Sequence, residues 1–231
     1  MILFPRQLFT GTKDMSDDAQ IELAQQRITA IRGRISRLDD AALDLLYREA
    51  RSHNWFTDQP VSDERLREIY DLVKFGSTSS NTQPMRVVFV KSAEAKERLK
   101  PAMMPANVEK TMIAPATAII GYDNTFWTDF AKNYPIRPEM AERFKGDENV
   151  AEKFAYQQAT LQGAYFILAV RAVGLDAGGM GGFDNAKVDE EFFAGTTVKS
   201  NFLVNIGYGD LSGIKGGRLP RYDFDEVCSI I

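Results

Sequence analysis

The chain has 231 residues, of which 44% are hydrophobic and 26% are charged, and its formal net charge is −4. This length suits one domain with a large core or two small domains, and the negative charge argues against a protein that binds nucleic acid through phosphate contacts. One cysteine and one histidine exclude an internal disulfide and a cysteine- or histidine-rich metal centre, and no apolar run reaches the roughly 20 residues that cross a bilayer, so we expect a cytoplasmic protein without a membrane or metal partner.

An N-terminal helical extension is predicted over residues 1–41. Between residues 21 and 45, apolar side chains recur at alternating steps of three and four, which predicts a heptad-like seam. Gly33 and the acidic pair at 39–40 weaken this pattern, so one long helix and two shorter helices both fit. The seam lies either on its own domain or against a second subunit. The main domain is expected at 42–231.

The main domain is predicted to combine helices with three strands. Ser62 is a good N-cap for a helix that ends near Gly76. The strands are expected at 86–91, 116–123 and 201–209, and further helices at 92–99, 105–112, 150–173 and 184–193. The GGMGG stretch at 178–182 is predicted to be a glycine-rich loop. These patterns favour an α+β fold, with a mixed sheet packed against helices.

Polar side chains gather at five junctions between these elements, where ligand contacts are common. The clusters are Arg51, Ser52 and His53; the stretch STSSNTQ at 77–83; Asn107 with Lys110; the glycine-rich 178–182; and Arg218 with Arg221. Each alone also suits an ordinary role, such as a solvated arginine, a turn or a structural histidine. No GxGxxG or GxSxG motif is present. Spacing therefore predicts only an α+β domain with an anion site.

In this order, the five clusters resemble the FMN-dependent nitroreductase family, from about residue 42 to the end. The stretches RSHNW, SNTQP, APATAII, GMGGFD, KSNFLVNIGYGD and RLPRYDFDEV look like the malonic semialdehyde reductase branch of that family. The resemblance implies a mainly antiparallel sheet flanked by helices around a long central helix. It also implies a homodimer with intertwined termini and FMN at the subunit interface.

The same resemblance implies which residues bind the flavin. It assigns the phosphate or ribityl chain to Arg51 and His53, completed by Arg218 or Arg221 without a choice between these two, and it includes Ser52 among the cofactor-binding residues. It assigns the pyrimidine edge of the ring to Asn107 and Lys110 and the region of flavin N5 to Gly181 and Gly182, and it includes Gly179 and Met180 among the cofactor-binding residues. From the neighbouring subunit it assigns Thr78, Ser79 and Asn81. The sequence departs from the family pattern at His53, Trp55 and Met85.

The implied activity is a ping-pong NAD(P)H oxidoreductase, in which hydride passes through FMN to a small electrophile and no side chain is catalytic. The first expected acceptor is a small aldehyde such as malonic semialdehyde, reduced to 3-hydroxypropionate. The alternatives are nitroaromatic compounds, including nitro drugs, or quinones; a flavin-binding protein without turnover; and a structural dimer without a ligand. The pattern does not distinguish NADH from NADPH as the donor.

Overall fold

The computed structural model describes residues 16–231, so the start of the predicted N-terminal extension lies outside the described residues. The chain divides into two compact units, the first ending at Arg48 and the second running from Glu49 to Ile231. The domain boundary predicted between residues 41 and 42 stays a prediction. Within 16–231, no helix has both the length and the apolar character that crossing a membrane requires.

Helices make up most of the regular structure in the described residues. They are α1 (Asp17–Arg34), α2 (Asp40–Leu43), α3 (Asp63–Val73), α4 (Ala93–Leu99), α5 (Pro105–Ile113), α6 (Phe130–Asn133), α7 (Glu148–Ala172), α8 (Asn185–Phe192) and α9 (Phe224–Val227). The predicted caps are confirmed at Ser62 and Ser92, whose hydroxyls accept hydrogen bonds from backbone N–H groups in the first turns of α3 and α4.

The apolar seam of the N-terminal unit is divided between two helices. α1 ends at Arg34, and the Asp39 side chain caps α2 by accepting a hydrogen bond from the Ala42 N–H. An aspartate at an N-cap satisfies a backbone donor that has no partner inside the helix, so it starts a new helix more favourably than it continues an old one. The two-helix alternative is therefore the one observed. Whether the seam contacts its own domain or a second subunit stays a prediction.

The second unit is built on a four-stranded sheet. The strands are β1 (Met85–Val90), β2 (Ala116–Asp123), β3 (Asp176–Met180) and β4 (Val198–Gly207). Their order is β1-β2-β4-β3, and every pair of neighbouring strands is antiparallel. In the part of the chain that the structure describes, one parallel bridge joins Ser52 to Ala177 beside β3. The predicted α+β class with a mainly antiparallel sheet is confirmed.

Both faces of the sheet are covered, which explains why the first seven residues of β2 are all buried. Ala118 and Ile120 of β2 face one core with α7, whereas Ile119 faces a second core with α4 and α8. α7 crosses the first face in contact with all four strands. Its small residues permit this close approach, since a Cβ at Gly163 would lie only 2.4 Å from the ring of Phe202. The predicted long central helix is confirmed.

The prediction of a loop at 178–182 is wrong for its first half, because Gly178, Gly179 and Met180 belong to β3. Glycine and aspartate are poor strand formers, so the local sequence does not indicate a strand. Pairing with β4 overrides that weak preference. The sheet therefore has four strands instead of the predicted three, and only Gly181 and Gly182 follow β3 in the glycine-rich stretch.

Candidate functional site

His53, the only histidine in the chain, packs against the edge strand β3. The His53 N–H donates to the Ala177 carbonyl at 3.0 Å, and the ring is 7% exposed. Its Nε2 lies 3.3 Å from Asp176 Oδ1, and Asp176 Oδ2 accepts a hydrogen bond from the Gly209 N–H at 2.8 Å. A Cβ at Gly178 would lie 2.1 Å from the His53 carbonyl oxygen. These contacts fix the neighbouring segment, so the ring acts first as a structural anchor.

Two arginines tie the segment before His53 to the C-terminal tail. Arg51 Nη2 donates to the carbonyls of Gly216 and Gly217 at 3.0 and 3.3 Å. In return, Arg218 Nη2 donates to the Ala50 carbonyl at 3.0 Å. Two guanidinium groups therefore lie at one junction, and each has several N–H donors. This concentration of positive charge suits a phosphate.

The second arginine of the tail behaves differently. Arg221 Nη1 donates to the carbonyls of Leu219 and Pro220, both at 3.0 Å, and so stays within its own turn. A small cavity of about 100 Å³ lies instead beside Arg51, where Lys215 adds a further positive charge. Of the two candidates that the sequence left open, Arg218 is the one joined to the Arg51 segment.

Helix α5 links this basic junction to the end of β3. Asn107 Nδ2 donates to the Gly182 carbonyl at 2.7 Å, and Lys110 Nζ donates to Asn54 Oδ1 at 3.3 Å. The two side chains are three residues apart and so share a helix face. Desolvation by burial lowers the pKa of Lys110 below its ordinary value. A cation that is partly removed from water interacts more strongly with a nearby anion than an exposed one.

The glycine-rich stretch at 178–182 leaves backbone atoms uncovered by side chains next to the basic junction. A Cβ at Gly181 would meet nothing within 4 Å, so a ligand has room to approach the main chain there. Gly179 is exposed in β3. The Met180 side chain, in contrast, is buried, with its sulfur 3.6 Å from Asn205 Nδ2. Met180 can therefore offer a ligand only its backbone.

The polar stretch at 77–83 forms a tight turn held by hydrogen bonds within itself and to the helices α6 and α7. The Ser79 N–H donates to Gln158 Oε1 at 2.8 Å, and Asn81 Nδ2 donates to the Asn133 carbonyl at 2.7 Å. Thr78 Oγ1 accepts a hydrogen bond from the Gln83 N–H at 3.3 Å. Part of the local abundance of short polar side chains is therefore explained by the turn itself. Ser79 and Asn81 nevertheless remain exposed to solvent.

An ion pair at the start of β1 supports this turn. Arg86 Nη1 donates to the Gln83 carbonyl at 3.0 Å, and its Nη2 donates to Asp123 Oδ2 at 2.7 Å. Burial raises the pKa of Asp123, but hydrogen bonds from Thr197 and Thr125 and the charge of Arg86 outweigh burial, so the pKa lies below its ordinary value.

The sheet separates the predicted site residues into two groups. The structure brings together Arg51, Ser52, His53, Asn107, Lys110, Gly179, Met180, Gly181, Gly182 and Arg218 near β3. Thr78, Ser79 and Asn81 precede β1, at the opposite edge of the sheet. Two strands lie between these edges, so β1 and β3 are about 14 Å apart at the usual strand spacing. Within one chain, the turn at 77–83 therefore does not reach the site residues that lie near β3.

Three contributors to the β3 group were missed by sequence reasoning. Asn54 accepts the hydrogen bond of Lys110, and Asp176 with Gly209 anchors His53. Asn54 directly follows the predicted cluster of Arg51, Ser52 and His53, so its position in the sequence could have indicated that it belongs to the site. Asp176 and Gly209 belong to no spacing motif, because their role depends on the pairing of β3 with β4.

The fold and the site define an α+β protein with a basic, glycine-lined site at one edge of an antiparallel sheet. The sequence profile described as the nitroreductase family matches residues 47–208. The chain therefore belongs to the nitroreductase family.

Its relatives carry names from the same family. A protein of Burkholderia lata named "Putative NADH dehydrogenase/NAD(P)H nitroreductase" is 51% identical over 196 residues, which are 85% of this chain and 100% of the relative. A protein of Stenotrophomonas maltophilia with the same name is 54% identical over 193 residues, 84% of this chain and 97% of the relative.

A solved structure shows the same fold. The structure entitled "putative nitroreductase in complex with FMN", from Exiguobacterium sibiricum, superposes with a TM-score of 0.72 at 18% identity, covering 84% of this chain and 98% of that chain. At this identity the likeness concerns the fold alone. The predicted nitroreductase-like fold is confirmed, whereas the malonic semialdehyde reductase branch stays a proposal.

Proposed function

We propose that the site at the β3 edge binds FMN. The main support is that four polar or charged side chains lie together beside the open backbone of Gly181: Arg51, Arg218, Asn107 and Lys110. This donor set fits the cofactor: the guanidinium groups suit its phosphate, and the amide with the ammonium suits the polar edge of its ring. The bare backbone after β3 leaves room for a flat ring.

The activity that follows is an FMN-dependent NAD(P)H oxidoreductase, in agreement with the names of the relatives. Bound FMN supplies hydride transfer between NAD(P)H and an acceptor. The protein supplies orientation and charge: the Arg51 junction holds the anionic end, and Lys110 places positive charge beside the ring. No side chain in this proposal acts as a nucleophile. We also retain the proposal of a cytoplasmic location, on the basis of a lone free cysteine.

We further propose that the site is completed by a second copy of the chain, which contributes Thr78, Ser79 and Asn81. The support is their position at the opposite sheet edge, where they cannot serve their own β3 site. Among the described residues β1 pairs with β2 alone, and a groove of about 880 Å³ runs between α3 and β1. The C-terminal tail is exposed and carries apolar side chains among its charged ones, with Leu219, Tyr222 and Ile230 each at least 77% exposed. A tail and a groove of this kind suit intertwined termini.

Two classes of acceptor are proposed. A small aldehyde such as malonic semialdehyde is supported by the stretches that resemble that branch, including RSHNW and SNTQP. Nitroaromatic compounds, including nitro drugs, and quinones are supported by the nitroreductase names of the relatives. The uncovered backbone at Gly181 leaves room for a flat electrophile of either class.

The test begins with purified protein. We expect a yellow protein whose flavin absorbance bleaches with NADH or NADPH under anaerobic conditions. Protein that binds added FMN without bleaching would support a flavin-binding protein without turnover, and colourless protein that ignores FMN would reject the proposal. The acceptor is then decided by kcat/KM for malonic semialdehyde, a nitroaromatic compound and a quinone. A large advantage for the nitro compound would reject the aldehyde assignment.

A further inference from the structure

Two buried glutamines on α7 hold the ends of the turn that precedes β1. Gln158 Oε1 accepts a hydrogen bond from the Ser79 N–H at 2.8 Å, and Gln162 Oε1 accepts one from the Met85 N–H at 3.0 Å. The two residues are four apart and therefore lie on one face of the helix. They are 8% and 4% exposed. One helix thus fixes both ends of residues 79–85.

Glutamine is an unusual choice at these positions. The other buried residues of α7 are alanine, glycine, phenylalanine and valine, which pack on the sheet without a polar atom. Burying an amide is unfavourable unless it forms a hydrogen bond. An apolar side chain would instead leave the N–H groups of Ser79 and Met85 without these partners, which is also unfavourable. The two glutamines therefore occur where α7 meets backbone donors of the turn.

The backbone between the two held positions is strained. Ser80, Asn81 and Gln83 have φ values of 51°, 50° and 44°, in the left-handed region that few residues other than glycine adopt. Such a conformation persists only where surrounding contacts impose it. Gln158 and Gln162 join this turn to the central helix at residues 79 and 85, on either side of the strained positions, and the Tyr165 hydroxyl adds a bond to the Ser77 carbonyl at 3.3 Å. Asn81 is also held by the Asn133 carbonyl. The two glutamines are therefore the backbone anchors that constrain residues 79–85 from the central helix.

We propose that Gln158 and Gln162 are positioning residues for FMN binding. By holding the turn in its strained form, they present Thr78, Ser79 and Asn81 to the cofactor site of a second copy. This inference rests on the proposed function. It needs a hydrogen-bond acceptor at each position and not an amide. Glutamate is therefore expected to replace glutamine in part, since it keeps the oxygen but buries a carboxyl group, whereas methionine, of similar size but without an oxygen, is not expected to replace it.

The experiment compares the full-length protein with Gln158→Met, Gln162→Met and the matching Glu variants. Gln157→Met is the control, because Gln157 is an exposed neighbour on the same helix. Hydrogen exchange of peptides covering residues 77–86 reports the turn, and flavin fluorescence quenching reports the Kd for FMN. We expect faster exchange and a roughly fivefold or greater rise in Kd for each Met variant. The Glu variants are expected to lie closer to the wild type than the Met variants in both values, which a general loss of packing would not explain.

The outcomes separate this inference from the proposed function. Unchanged exchange in both Met variants would overturn the positioning role. Faster exchange in the Met variants with an unchanged Kd for FMN would also overturn it. In both cases, FMN binding by the wild-type protein would still support the proposed function. Wild-type protein that binds no FMN would reject both proposals, even if the exchange data confirmed that the glutamines hold the turn.

Discussion

Replacing Arg51 by alanine is expected to weaken FMN binding. Nη2 of Arg51 already donates to the Gly216 and Gly217 carbonyls, and its other guanidinium nitrogens make no hydrogen bond within the described part of the chain. They remain available for a phosphate. A charged hydrogen bond contributes about 1.5–3 kcal/mol, which corresponds to roughly a 10- to 150-fold rise in Kd. Because Arg51 is only partly buried, we expect the lower end of this range.

The assay is titration of full-length apoprotein with FMN, followed by flavin fluorescence. Arg51→Lys keeps the charge but loses the planar fork, so an intermediate Kd is expected. Arg98→Ala is the matched control, because Arg98 pairs with Glu191 on the surface and takes no part in the β3 site. A Kd for Arg51→Ala within twofold of the wild-type value would refute the phosphate role of this side chain.

Three further predictions follow from particular contacts. Arg218→Ala is expected to raise the Kd for FMN about tenfold, because Arg218 is joined to the Arg51 segment, whereas Arg221→Ala leaves it within about twofold. Gly178→Ala is expected to lower the free energy of unfolding by about 1–3 kcal/mol in a urea titration, because its Cβ would meet the His53 carbonyl oxygen. Asp123→Asn is expected to cost about 1–3 kcal/mol at pH 7 by the same measurement. The depressed pKa of Asp123 gives stability that is present above pH 3.8 and lost as the pH falls through the folded-state pKa, so this difference should shrink in acid.

Each of these predictions has a control and a contradicting result. Equal Kd values for the Arg218 and Arg221 variants would remove the distinction between the two arginines. Gly181→Ala should unfold like the wild type, because its Cβ meets open space, and a loss equal to that of Gly178→Ala would contradict the steric argument. For Asp123→Asn, a stability difference that is constant from pH 7 to pH 3 would show that the carboxylate charge is not the cause.

Local patterns predicted the elements whose signals lie in their own sequence. The Ser62 cap, the β-branched run of β1 and the long apolar pattern of α7 were all found at or near their observed positions. β3 could not be found this way, because DAGGM lacks the branched and aromatic residues typical of strands. It becomes a strand through its partner β4 and through glycine at 178, where the main chain of His53 passes too closely for a side chain.

The candidate site was predictable in residue type but not in arrangement. Motif order selected Arg51, Asn107 and Lys110, and all three lie near the β3 edge. The sequence could not separate Arg218 from Arg221, because either aligns with the motif when a gap is moved. It also could not show that the turn at 77–83 lies across the sheet, since strand order depends on long-range pairing. That separation is the reason for proposing a second copy.

Native mass spectrometry of the purified holoprotein tests the central claim most directly. If residues from two chains build each cofactor site, the spectrum will contain two chains with two FMN molecules, and dissociation into single chains will release the flavin. A single chain that retains tightly bound FMN at low concentration would contradict the shared site.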